Sequence, residues 1–176
     1  MRADNLTIVF FLLTTVVFGQ VDKKVIEINK VVEELADEDT NKVVKTLDNY
    51  YFANRNQNYD RSIELSGVFK NGDLRIISCY LRLTNGRKHF TFYISKNKLI
   101  LVLEREATYS RGDSTMGVLK NVLISNTVFE ARYYFKAEKI IHTELFGKRN
   151  FEEDANENNE KMFIRNFKEF RTALQK

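Results

Sequence analysis

The chain has 176 residues, with 43 % hydrophobic and 30 % charged side chains, one cysteine, no proline and no tryptophan. That length gives room for one domain with a real core, and the composition excludes a chain disordered throughout. The lack of proline argues against Pro-rich linkers and a string of domains, and a lone Cys79 excludes an intrachain disulfide framework.

Arg2 precedes an apolar run from Leu6 to Phe18, interrupted only by threonines and followed by Gly19. This is the n-region, h-region and small-residue cleavage pattern of a secretory signal. The reading is a signal peptide over 1–19, cut between Gly19 and Gln20, and one domain over 20–176. Asp4 keeps an uncleaved N-terminal anchor open as the alternative. The run is short for a membrane span, which takes about 20 residues. After Lys24 no long apolar stretch recurs, so no span is expected in the mature chain. The expected location is secreted or periplasmic. The one Asn-x-Ser/Thr acceptor, Asn5-Leu6-Thr7, lies inside the signal, which favours a bacterial envelope or exterior.

Residues 22–36 place Val25, Ile28, Val32 and Leu35 at helical spacing. After the acidic Asp37-Glu38-Asp39, a second helix is expected, capped by Asp39 or Thr40 and carrying Val43, Val44, Leu47 and Tyr51. One helix running through 22–53 is the rival. The polar stretch 54–58 reads as loop.

From Arg61 the period changes to two. Asn71-Gly72 and Asn85-Gly86 are hairpin signals, because Asn-Gly accepts the positive φ of type I′ turns. They define strands 61–70, 73–84 and 87–95. A turn at Lys96-Asn97 adds strand 98–105. Residues 107–120 read as a loop, followed by a hairpin of 127–136 and 139–146 turning at Ala137-Glu138. An acidic, Asn-rich loop over 152–160 leads to a last helix, where Phe163, Phe167, Phe170 and Leu174 form a core stripe. The fold class is therefore α+β: an antiparallel meander of five to seven strands, curved, with N-terminal helices and a C-terminal amphipathic helix packed on the sheet.

Two-residue turns fix register, and register fixes faces. With Asn85-Gly86 and Lys96-Asn97 as loops, Leu81 faces Phe90, Cys79 faces Phe92, and Phe92 faces Leu101. One apolar layer then holds Ile77, Cys79, Leu81, Leu83, Phe90, Phe92, Ile94, Leu99, Leu101 and Leu103. In that layer Cys79 is a structural thiol. The other face mixes Tyr80, Arg82, His89, Thr91, Tyr93 and Glu104, with Arg82 and Glu104 on either side of His89. Aromatic rings beside a few polar groups suit a binding groove, and these six are the candidate ligand-binding residues. A solvated face with cross-strand charge pairs is the plain alternative.

His142 and Glu144 share a strand face, with Tyr133 expected opposite His142. Two histidines in the whole chain are too few for a metal centre, and no metal or cofactor is expected. Phosphate-loop, dinucleotide, nucleophile-elbow and zinc-protease patterns do not occur. Arg111-Gly112-Asp113 is an adhesion-type tripeptide of three common residues. Charge is uneven: residues 20–54 hold five basic and eight acidic side chains, residues 55–105 ten and four. The basic side chains at the turns either protect strand edges or attract an anionic surface.

The leading functional expectation is a non-catalytic domain of the cell envelope. It would bind an apolar or anionic small molecule or a partner protein, and not nucleic acid. A small hydrolase-like enzyme on the mixed face is the alternative, and a structural or interaction protein using a sheet edge is the third.

Overall fold

The computed structural model describes residues 21, 23–35, 42–47, 63–83, 86–111, 123–150 and 158–176. The expected signal peptide, its cleavage site and the loops at 54–58 and 112–120 lie outside these residues. The chain divides into two compact units, Met1–Glu38 and Asp39–Lys176.

In the first unit, residues 23–35 form helix α1, as the spacing of its apolar residues predicts. Ile28 is its buried residue, and Val25, Val32 and Leu35 are half-buried on the same stripe.

The second unit is an antiparallel sheet of seven strands in sequence order. They are β1 Lys42–Leu47, β2 Ile63–Lys70, β3 Asp73–Leu83, β4 Gly86–Ser95, β5 Lys98–Arg111, β6 Leu123–Lys136 and β7 Lys139–Gly147. Helix α2, Asn159–Gln175, follows. The α+β meander with a C-terminal helix on the sheet is thus the fold. The second N-terminal helix is not: 42–47 pair with β2 from Lys42↔Lys70 to Leu47↔Leu65. Val43, Val44 and Thr46 are β-branched, which suits a pleated strand better than a short helix. Likewise β5 runs on to Arg111, so 107–111 are strand rather than loop. Arg111 of the adhesion-type tripeptide therefore sits in a strand, and Gly112 and Asp113 fall outside the described residues.

Turn chemistry explains the hairpins. Asn71 and Gly72 have φ of 51° and 81°, Lys96 and Asn97 of 50° and 62°, and Ala137 and Glu138 of 51° and 63°. These are type I′ loops, whose twist matches the flanking strands.

Helix α2 lays Met162, Phe163, Phe167, Phe170 and Leu174 on one face of the sheet. Phe163 meets the rings of Phe90, Phe92, Tyr133 and Phe135 at centroid distances of 4.7–6.4 Å. Cys79 is fully buried in this layer, as a structural thiol should be. Asn158 caps the helix by accepting from the Glu160 N–H at 2.8 Å. Gly67 lets the helix approach closely, since a Cβ there would lie 2.9 Å from Leu174 Cδ1.

Four of the six ladders carry a β-bulge, and these change the faces. Between β4 and β5, Ile94 pairs with Leu99 but Tyr93 with Leu101, so Ile100 is an extra residue. One inserted residue moves everything beyond it to the other face. Leu101 and Leu103 thus leave the expected apolar layer, and Val102, Glu104 and Glu106 enter it.

Candidate functional site

Strand β3 carries Tyr80 and Arg82, and β4 carries His89, Thr91 and Tyr93, all on the face opposite α2. Their register is shifted from the sequence expectation. The ladder closes at Leu83↔Gly86, so Gly86 belongs to β4 rather than to the turn, and Cys79 pairs with Phe90. Moving a turn by one residue shifts pairing by two, which leaves every face unchanged.

Glu104 does not join them. It pairs with Phe90 on the helix-covered face, and Arg105 takes the place beside His89. The expected flanking of His89 by Arg82 and Glu104 is corrected accordingly: Arg82 pairs with Arg87, and Tyr80 pairs with His89. The Tyr80 and His89 rings stack at 3.8 Å with 7° between planes. Thr91 Oγ1 lies 3.3 Å from His89 Nε2. Burial, then the charges of Arg105 and Arg87, push the His89 pKa down to about 4, so the ring is neutral at pH 7. Burial also raises the Tyr93 pKa, against the lowering pull of Arg105 and Arg132.

Further along this face the charges are matched. Arg105 Nε donates to Glu130 at 2.8 Å, and Arg132 to the same carboxylate at 3.2 Å. Burial alone would raise the Glu130 pKa, but the two arginines hold it lower. Arg132 reaches Glu144 at 3.7 Å, and Glu144 lies 3.7 Å from His142. His142 pairs with Tyr134 rather than Tyr133, because Ile141 is the extra residue of the β6–β7 bulge.

Arg82 and Arg87 are different. Both are exposed and directly opposite one another, and neither guanidinium forms a hydrogen bond or ion pair among the described residues. Like charges in that position repel. An anion bridging them would remove the repulsion and gain charge-assisted hydrogen bonds. The stacked Tyr80–His89 plate lies one step along the same face.

The helix-covered face holds a cluster that the sequence reading missed. Glu104 and Glu106 are fully buried, and Lys88 is 4 % exposed. Lys88 Nζ lies 3.0 Å from Glu106 and 3.7 Å from Glu104. Arg149 Nη2 donates to Glu104 at 2.7 Å and to the Tyr133 hydroxyl at 2.9 Å, and Tyr133 donates to Glu104 at 3.1 Å. The Asn150 N–H donates to Glu106 at 2.8 Å. Arg149 also sits over the Phe129 ring at 4.9 Å. Burial, then the Glu104 charge, raise the Tyr133 pKa, so the phenol stays protonated and donates. Two carboxylates thus meet two cations, and residues 149–150 are tied to β5. A signal was present: Lys88 has the parity of Phe90 and Phe92, and a lysine on an apolar face demands a buried partner.

Among the described residues no group of three metal-ligating side chains occurs, and no helix is long and apolar enough to cross a membrane. No family model, curated protein or solved structure matches the chain.

Proposed function

We propose that this chain is an exported, non-catalytic binding domain that takes an anionic ligand on the face of Tyr80, Arg82, Arg87, His89 and Arg105. The observation that carries the reading is the cross-strand Arg82–Arg87 pair, two exposed cations held side by side, neither in an ion pair among the described residues, with the exposed Glu64 opposite Tyr80 on the same face. The Tyr80–His89 stack adds a flat surface beside them, and the half-buried Tyr93 lies further along the same face, beyond the buried Thr91. The neutral His89 contributes shape and a hydrogen-bonding nitrogen rather than charge. The signal pattern of residues 1–19 supports a location where sulfated or carboxylated glycans and lipid headgroups are accessible.

Calorimetric titration with a sulfated oligosaccharide and, separately, with vesicles containing phosphatidylglycerol tests this reading and distinguishes a soluble glycan from a lipid surface. Binding to one of them, weakening as salt rises, is expected. Each of Arg82→Ala and Arg87→Ala should then weaken binding about tenfold or more, since a hydrogen bond to a charged group contributes about 1.5–3 kcal/mol. Absence of binding to both probes at low salt, or affinity unchanged in the Arg82→Ala, Arg87→Ala double variant, overturns the proposal.

A further inference from the structure

Strand β7 ends the sheet order, so one of its edges has no strand neighbour among the described residues. Of the three large hydrophobic side chains exposed among those residues, two lie on it: Leu145 (62 % exposed) and Phe146 (53 %). An edge with apolar side chains is a template for another strand.

The hydrogen-bond phase of the strand is fixed at both ends. Near its start, the Ile140 N–H points away from β6 and donates to Glu160 of α2 at 2.8 Å. Past its end, the Lys148 N–H donates to the Val128 carbonyl at 3.2 Å. Bonded and unbonded pairs alternate along an antiparallel ladder. Counted across the extra residue Ile141, both anchors give the same phase: His142, Glu144 and Phe146 bond to β6, and Thr143 and Leu145 turn their N–H and C=O outward. Glu160 blocks the edge at Ile140, and Gly147, at a φ of 79°, ends its regular run. Among the described residues, the edge open to a further strand is therefore short and centred on Thr143.

That edge is complementary to itself. In an antiparallel pair with a two-fold axis at Thr143, Thr143 meets its own copy with outward groups aligned for two hydrogen bonds. His142 then lies opposite Glu144 of the other copy, and Ile141 opposite Leu145. A register centred one residue later sets Glu144 against Glu144 and turns its bonding groups inward. One centred at Leu145 sets Glu144 against Phe146. We infer that β7 is a homodimerisation edge, joining two copies of this chain into one continuous sheet through the Thr143-centred register. The inference is independent of the anion-binding reading, because β7 carries neither Arg82 nor Arg87.

Sedimentation across a concentration series, with oxidative cross-linking of single-cysteine variants, tests it. Native Cys79 is buried and does not compete. The mass should double as concentration rises. Thr143→Cys should form a disulfide dimer, since paired Cα atoms across a bonded antiparallel pair lie about 5.5 Å apart, inside disulfide range. Phe146→Cys should not, since its copy lies about 20 Å away in this register at about 3.3 Å per residue. Glu144→Arg should lower dimer affinity at least tenfold, and the swap His142→Glu with Glu144→His should restore it. A chain that stays monomeric at all concentrations overturns the inference. So does a dimer unaffected by Glu144→Arg, or a Phe146→Cys variant that cross-links as fast as Thr143→Cys.

Discussion

The two faces of the sheet treat charge in opposite ways. Under α2, the buried Lys88, Glu104 and Glu106, with Arg149 and Tyr133, form a cluster in which each charged group touches an opposite one. On the other face, Arg105 and Arg132 share Glu130, but Arg82 and Arg87 are set against each other. The difference follows from solvent. A buried ion that lost its partner would keep its full desolvation penalty, so burial enforces pairing. An exposed cation is hydrated, so leaving it unmatched costs little and keeps it available to a ligand.

The largest effects should come from the helix-covered face. Lys88→Met leaves two buried carboxylates short of a cation and should cost about 3–5 kcal/mol, read as a lowered denaturation midpoint. Phe167→Ala, at 5 % exposure in the aromatic core, should cost a similar ~3–5 kcal/mol. A midpoint unchanged in Phe167→Ala would mean that α2 does not depend on its docking.

Next comes a pH effect from the opposite face. The His89 pKa of about 4 lies below its ordinary 6.5, so the unfolded chain binds the proton more tightly. The contribution is fully present above pH 6.5, falls as pH drops through 6.5 to 4, and is lost below that. Its size is about 2 kcal/mol once partial solvent contact is allowed for. NMR titration of the ring should give a higher pKa in Arg105→Ala and in Arg87→Ala, and no change in Glu104→Ala if that variant folds.

Much of this architecture was legible in the sequence. Asn71-Gly72, the aromatic stripe of α2 and the alternation in β3 and β4 carry strong local signals, and the meander follows from them. The grouping of Tyr80, Arg82, His89, Thr91 and Tyr93 survived a turn misplaced by one residue, because the resulting shift was even. Glu104 did not survive, and the reason is specific. Leu99-Ile100-Leu101-Val102-Leu103 is apolar at every position, so no alternation marks where Ile100 is inserted, and no glycine flags the bulge. The same blindness hid Ile141, and with it the pairing of His142. Strand β1 is not legible in the sequence because six residues are too few to separate periods of 2 and 3.6.

A smaller effect refines the picture of the covered face. Asn166 on α2 is 5 % exposed, and its Oδ1 has no hydrogen-bond partner among the described residues. Asn166→Leu should stabilise the fold by about 1 kcal/mol, seen as a raised denaturation midpoint.

The smallest effect tests the contrast between the faces most directly. Arg82→Gln removes one of two facing cations and should raise stability at low salt by about 0.5 kcal/mol, a gain that disappears as salt screens the pair. Urea denaturation of Arg82→Gln and Lys88→Gln, side by side at low and high salt, is the decisive measurement. Opposite signs are expected: a small, salt-sensitive gain for Arg82→Gln and a large loss for Lys88→Gln. Loss of stability in Arg82→Gln at low salt would mean that Arg82 is already neutralised within the fold, and the proposed anion site would have no basis.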